Sequence, residues 1–540
     1  MVPCTPVKQA PKPKSRNYPV IVAGAGVTLF CYAMYIATLA PTVVYYDWPI
    51  LLDSAMLQVH AIVLGIPGGT GSPSWVLLTH LFTYLPVGDP AYRTNLASAT
   101  YAAGAVALVY AAAYLLTRRI LASAVAALAF GLGTTLWSMA VIAEIYPLNA
   151  LLIMAPIVCL LLWRERRRDR YLLAAAFFMG FAMTNHMTSG LVLPGAALFV
   201  AAVDRRKLLE WRLVLKGAGL FVLGLAPYLY LPIRASMDPP LDEWQPTSLG
   251  RFWYLVGGGD HQKLLWEFGP AELPGRFMLY LGYLFQNFHW GLVMVAMVGM
   301  AVLVARDRAA ALLVGFLFCG WLFHALEYGI RDVNLYFITT YLMVALALAV
   351  GVAGLTEAVE DFLSRYSYAA RTAVMVSASM AAVLYPLIYL PAAYARNDMS
   401  DDYQGREIIE TVAEKARPNA TILHHRSSLW YMVLVEKRRQ DITLVDPWPP
   451  GRQRYTDIVW PDDINFVTTN LRYGTNDYTG VTTAREAARA GPVYILDQDS
   501  AAPQNFWNAD FNIVRVERGI LYELVPPGGR TYTPPQEQKS

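Results

Sequence analysis

About eleven apolar runs between residues 18 and 390 leave this chain few folds to choose from. A helix rises about 1.5 Å per residue, so roughly 20 apolar residues cross the roughly 30 Å of membrane hydrocarbon. Inside that layer each segment must satisfy its own backbone polar groups, which admits helices and excludes lone strands. The runs fall at residues 18–40, 97–116, 121–140, 147–163, 171–184, 189–203, 213–231, 277–304, 309–326, 336–355 and 372–390. Hydrophobic residues make up 56% of the chain and charged ones only 15%, far from the balance of a soluble domain. The sequence reads as a polytopic α-helical membrane protein.

The few charges report topology. A tail at residues 1–17, carrying Lys8, Lys12, Lys14 and Arg16, precedes the first run and is expected in the cytoplasm. That run is too long for a signal-peptide core and lacks a small-x-small cleavage site, so it reads as an uncleaved anchor. Basic residues follow the even-numbered crossings: Arg118 and Arg119, the cluster at 164–170, Arg205 with Arg206 and Lys207, then Arg306 and Arg308. The opposite, extracytoplasmic side receives Asp47, Asp53, Glu144, the loop 234–276, residues 327–334 and everything after about residue 391. An inner (plasma) membrane location follows. A net charge of +3 gives no argument for nucleic acid. Cys4, Cys31, Cys159 and Cys319 form neither a disulfide framework nor a CxxC metal signature.

Three parts result: the tail 1–17, a transmembrane part 18–394 with a first external loop at 41–96 and another at 234–276, and a soluble extracytoplasmic α/β domain at 395–540. In the last, alternating patterns predict a helix at 403–416, strands at 420–423, 442–445 and 492–496, a helix at 429–436, and a hairpin of 511–516 with 520–524. No GxGxxG or Walker loop follows a predicted strand.

The first external loop holds Asp47, Asp53 and a Gly-rich stretch at 65–73. Acids gathered in loops on one membrane face suit a substrate whose tail lies in the bilayer and whose head emerges. Plainer roles also exist for these residues. The Asp residues can cap helices, and Glu144 can favour the helix start near Pro147. Asn185 and His186 can be structural, and Asp332 can pair with Arg331. Arg234 and Arg331 can snorkel to lipid phosphate, or bind a substrate phosphate bidentately. His261, His424 and His425 read as surface or core histidines, whereas Trp244, Trp253 and Tyr254 can stack on a sugar.

Several ordered motifs resemble one family: the stretches 38–43, 64–73, 85–93, 143–149, 185–188, 230–234 and 238–240, then Trp244, and Arg331-Asp332 ahead of Tyr336-Phe337. The chain resembles the branch of the GT-C glycosyltransferase superfamily that contains the eukaryotic transmembrane O-mannosyltransferase of plexin-type receptors and its bacterial relatives. The likeness covers most of residues 38–340. It implies a GT-C-like membrane domain and a transferase using a polyprenyl-phosphate sugar, with mannose and a protein Ser or Thr as the finer reading and a protein or glycan as acceptor. An acid of the first loop would serve as general base, and the reaction would not require a divalent metal. Counting from Thr38 selects Asp47 as that base and counting back from Gly65 selects Asp53, which is preferred because Ser54 follows it. Arg234, Arg331, Asp332, Glu144, Asn185 and His186 would bind donor or substrate. The chain departs from the family pattern where Met56 replaces a Glu, Gly68 a His and Ser72 a Tyr. Those losses favour the alternative of a non-catalytic lipid-carrier binder or transporter of the same fold. Transporters, however, place polar residues and breaks at mid-membrane in paired repeats, and the spans here are clean at their centres.

Overall fold

The computed structural model of the protein describes residues 18–45, 53–259, 261–446, 466–468, 471–473, 480–496 and 506–528. Helix forms wherever the apolar runs lie. Helix α1 (Tyr18–Ala37) is followed in the first loop by two short helices, α2 (Ser54–Val63) and α3 (Pro73–Phe82), and then by α4 (Pro90–Thr117). The next run bends by 63° between α5 (Ile120–Gly131) and α6 (Thr134–Ala140). There follow α7 (Tyr146–Arg166), α8 (Arg170–Met183), α9 (Val192–Asp204) and the bent pair α10 (Trp211–Gly224) and α11 (Tyr230–Ala235). Helix α12 (Leu249–Val256) lies in the second long loop. The bundle closes with α13 (Leu273–Arg306), α14 (Arg308–Leu326), α15 (Val333–Tyr336) running into α16 (Ile338–Leu363), α17 (Tyr368–Leu387) and α18 (Leu390–Asn397).

Among the described residues eight helical stretches are long and apolar enough to cross a membrane, or up to ten if each bent pair is one span. The remaining run expected to cross, 171–184, is α8, whose 14 residues rise about 21 Å, short of a full crossing.

Lipid tails are as apolar as the side chains they would meet, so helix association rests on close packing and on satisfied polar groups. Gly180 of α8 and Gly224 of α10 each lie against the other helix's backbone, as do Gly299 of α13 and Gly351 of α16, where any Cβ would collide with a carbonyl. The break between α5 and α6 frees backbone groups that buried Asn287 of α13 takes up. Its Oδ1 accepts from the Thr135 N–H at 2.9 Å and its Nδ2 donates to Thr135 Oγ1 at 2.9 Å. At one end the basic loops interlock: Arg119 pairs with Glu360 at 3.1 Å, Arg164 with Asp307 at 2.5 Å and Lys207 with Asp169 at 2.8 Å. The loops expected on one side of the membrane therefore meet.

Among the described residues, the carboxy-terminal region begins with α19 (Gln404–Lys415) and builds a seven-stranded sheet from β1 (Thr421–Leu423), β2 (Thr443–Asp446), β3 (Phe466–Thr468), β4 (Leu471–Tyr473), β5 (Val493–Leu496), β6 (Asn512–Glu517) and β7 (Leu521–Val525). Helix α20 (Val481–Ala487) precedes β5. The order is β3-β4-β2-β1-β5-β7-β6, with a parallel centre and antiparallel edges. Each predicted element is present, although the helix expected at 429–436 includes a wide π turn at Tyr431–Val435. From β1 the chain builds outward to β2 on one side and returns to β5 on the other, so the strand order reverses at β1. In α/β sheets that point opens a crevice at the carboxyl ends of the strands.

This region is not a free appendage. Ile408, Ile409 and Val412 of α19, with Trp430, Tyr431 and Met432, share one apolar core with Val43, Met56, Leu57, Val59 and Trp75 of the first loop.

Candidate functional site

Backbone satisfaction assembles the site before any catalytic group enters it. The segment 38–44 has no ladder of its own, and two buried amides supply several of its partners. Gln58 of α2 accepts from the Val44 N–H at 3.1 Å and donates to Asn95 Oδ1 at 2.8 Å, while Asn95 of α4 donates to the Ala40 carbonyl at 3.0 Å. Asp89 caps α4 through the Tyr92 N–H at 2.7 Å and accepts from Thr42 at 2.5 Å. The Gly-rich loop then turns. Gly71 has φ +77° and lies where a Cβ would meet Leu231 Cδ2 at 2.9 Å, so only glycine suits it. Ile66 makes a parallel bridge to the second long loop, its N–H donating to the Leu241 carbonyl at 2.9 Å while its carbonyl accepts from Glu243 N–H at 3.1 Å. Asp242 accepts from the Trp244 and Gln245 N–H groups at 3.0 and 2.7 Å, and the turn it makes sets the Trp244 side chain into a cavity.

That cavity has a volume of about 630 Å³. Its walls include Asp53, Glu144, His186, Trp244, Asp332 and Arg426.

One chain of charge runs along it. Asp53 stands at the start of α2 but makes no capping bond. Its Oδ1 instead accepts from Arg426 Nη1 at 2.7 Å, and its side chain is 47% exposed. Arg426, 9% exposed, donates its other edge, Nη2, to Glu243 Oε2 at 2.6 Å. Glu243, 1% exposed, accepts from His60 Nε2 at 3.0 Å, two turns along α2 from Asp53. Burial pushes the Glu243 carboxyl up, but the Arg426 guanidinium and the bond from His60 outweigh it and hold the group below its ordinary range. Arg426 follows β1 at the reversal point of the sheet, where Asp446, buried at the end of neighbouring β2, accepts from its backbone N–H at 3.2 Å. The same carboxylate accepts from His425 Nδ1 at 3.0 Å.

Opposite this chain lie carboxyls in a drier setting. Burial and the charge of Asp53 raise Asp332 to about 7, and burial with the charges of Asp53 and Asp332 raises Glu144 well above the ordinary carboxyl range. His186 rests between Tyr146 (5.9 Å between ring centres) and Tyr336 (5.5 Å), its Nδ1 accepting from Thr188 Oγ1 at 2.7 Å, and burial pushes it down to about 3. A wall of two carboxyls raised above their ordinary range and several ring faces is the kind of surface that holds a sugar by hydrogen bonds and stacking.

The structure brings Asp53, Glu144, His186 and Asp332 together and leaves other expected site residues elsewhere. Asp47 lies outside the described residues. Arg234 is taken up by the end of α2, donating to the Leu64 and Val63 carbonyls at 2.7 and 3.2 Å. Asn185 is a buried strut, its side-chain Nδ2 donating to the Ile145 carbonyl at 3.2 Å and its backbone carbonyl accepting from Ser72 Oγ at 2.9 Å. Arg331 is exposed beside the cavity and does not line it. Glu144 does not cap α7 with its side chain; its backbone carbonyl accepts from Trp75 Nε1 at 2.9 Å.

Sequence reasoning missed Arg426, Glu243 and His60. No local pattern marks them, but Gly68 held a clue. A Cβ there would lie 2.8 Å from Glu243 Oε2 and 3.1 Å from Arg426 Nη2, so the Gly that replaces the family's His makes room for this pair. Among the described residues no group of three His, Cys, Asp or Glu side chains is placed to hold a metal.

Solved structures share this architecture over nearly its whole length. ArnT from Cupriavidus metallidurans bound to undecaprenyl phosphate matches with a TM-score of 0.59 over 94% of this chain and 98% of its own, at 13% identity. The fold is GT-C. The apo state of the same ArnT gives a TM-score of 0.54 at 15% identity with equal coverage; at such identities the GT-C likeness is one of fold. In sequence, residues 53–209 match the family model of the Protein O-mannosyl-transferase TMEM260 N-terminal domain. Protein O-mannosyl-transferase TMEM260 of Mus musculus is 28% identical over 207 residues, 37% of this chain. The match spans 29% of the mouse protein's length. The family-model match takes in Asp53, Gly68, Glu144, Asn185 and His186, whereas Glu243, Asp332 and Arg426 lie beyond its range.

Proposed function

We propose that this protein is an integral-membrane glycosyltransferase that moves a sugar from a polyprenyl-phosphate donor to an acceptor hydroxyl, with Asp53 as general base. The observation that carries the reading is the place of Asp53: a half-exposed carboxylate on the wall of the cavity, within the stretch that matches the TMEM260 family model. The acceptor O–H gives its proton to the Asp53 carboxylate while its oxygen bonds to the anomeric carbon. The bond from that carbon to the phosphate oxygen breaks, and the electron pair leaves with the phosphate. Glu144 and Asp332 hold sugar hydroxyls, and Trp244, Tyr146 and Tyr336 offer ring faces. Asp332, Glu144 and His186 are thus substrate-binding groups in this reading, and Arg331 guides the phosphate at the rim.

Mannose as the sugar and a protein Ser or Thr hydroxyl as the acceptor are supported by the likeness to TMEM260. The interlocked basic loops at the far end support an extracytoplasmic cavity and a cytoplasmic amino terminus. The test is transfer of labelled mannose from polyprenyl-phosphate mannose by purified protein. Wild type and Asp47→Asn transfer sugar, and Asp53→Asn falls by about 10²-fold or more. A wild type that binds the lipid and never turns it over establishes the non-catalytic carrier-binding alternative instead.

A further inference from the structure

We propose that Arg426, contributed by the carboxy-terminal sheet, is the cation that receives the phosphate of the lipid donor, exchanging its bond to Asp53 for one to a phosphate oxygen. The inference rests on the reading of the protein as a polyprenyl-phosphate-dependent transferase and deepens it.

The guanidinium has two working edges in different surroundings. The Nη2 edge meets Glu243, which is 1% exposed and itself held by His60, so that side is closed. The Nη1 edge meets Asp53, which is 47% exposed, and both residues line the cavity. An anion entering the cavity therefore meets Arg426 on the Asp53 side. Arg presents planar paired donors that match a phosphate, and its charge does not titrate away. Glu243 and His60 fix the plane of the fork, and Gly68 leaves the space in which it lies.

The exchange couples binding to chemistry. While Arg426 bonds Asp53, one carboxylate oxygen is engaged by the guanidinium. Once phosphate takes that edge, that oxygen is released to receive the acceptor hydroxyl's proton. The phosphate then gains negative charge as the anomeric C–O bond breaks, with Arg426 already upon it. Of the expected phosphate-binding residues, Arg234 is committed to helix carbonyls and Arg331 stands outside the cavity lining. The carboxy-terminal region thereby becomes part of the donor site.

The experiment measures binding of undecaprenyl phosphate to the full-length protein in detergent. Arg426→Gln alone leaves the buried Glu243 carboxylate without its guanidinium counter-charge, so the double variant Arg426→Gln/Glu243→Gln, which removes both charges and keeps the packing, is measured beside it. Both are expected to bind about tenfold or more weakly, with Arg426→Lys intermediate. Excess inorganic phosphate displaces the lipid from wild type and not from Arg426→Gln, because the shared chemistry is the phosphate. Binding by the double variant equal to wild type overturns the inference while leaving glycosyl transfer standing, and so does equal displacement by phosphate from both proteins. A wild type that neither binds the lipid nor transfers sugar overturns both readings together.

Discussion

Arg426 donates to the carboxylate of Asp53 at 2.7 Å across 373 positions of sequence. The bond joins the loop after β1 to the stretch that matches the TMEM260 family model. Glu243, from a third segment, completes the group. A site divided among three distant segments depends on how firmly they are packed, and the shared apolar core between α19 and the first loop supplies that.

Ile409→Ala tests this dependence. Ile409 is fully buried in the core that unites α19 with Val43 and Met56. Its truncation should cost about 2–5 kcal/mol of stability. Thermal unfolding in detergent reads the loss, and sugar transfer should fall with it although Ile409 lies outside the cavity lining.

Gly68→Ala should disturb the charged group directly. The added carbon would sit 2.8 Å from Glu243 Oε2, and neither partner of the buried pair can retreat without losing its bond. We expect about 1–3 kcal/mol of destabilisation and a drop in transfer out of proportion to the stability change. Comparing kcat with melting temperature for Gly68→Ala and Gly250→Ala measures it, since Gly250 of α12 has no left-handed backbone and a Cβ there meets nothing within 4 Å.

Asp332 gives a pH dependence of definite sign. Its carboxyl is raised from 3.8 to about 7 by burial and then by the charge of Asp53. The native state therefore holds a proton that the unfolded chain releases, and the stability this brings is full below the unfolded value and lost as pH rises through about 7. Asp332→Asn should melt higher than wild type at pH 8 and alike at pH 4, a difference that melting curves across that range display.

Arg234→Gln separates structure from binding. Its guanidinium donates to two carbonyls at the end of α2, so losing it should lower stability by about 2 kcal/mol. Undecaprenyl phosphate binding should change less than about twofold in the folded protein. A much larger loss, measured by titration at a temperature where both proteins are folded, would return Arg234 to the phosphate.

How much of this the sequence disclosed depends on the range of the forces involved. Apolar runs fixed the helices because a span is a local property, answered by 20 or so neighbouring residues. The strands at 420–423, 442–445 and 492–496 were readable for the same reason. Asp53, Glu144, His186 and Asp332 could be named from motifs, but their separation of roles could not, because Asn185 and Arg234 carry equally suggestive sequence and are spent on backbone carbonyls.

By itself, then, the amino-acid order determined the membrane class, the positions of the apolar helices, the gathering of basic loops at one end and the elements of the carboxy-terminal sheet. Each follows from composition and periodicity within a short window. Only the tertiary structure decided that Arg426 faces Asp53, that Glu243 and His60 hold it there, and that Gly68 is small to admit them. Electrostatic pairing in a buried site depends on distance in space and on desolvation, and neither is written in the spacing of residues 53, 243 and 426 along the chain.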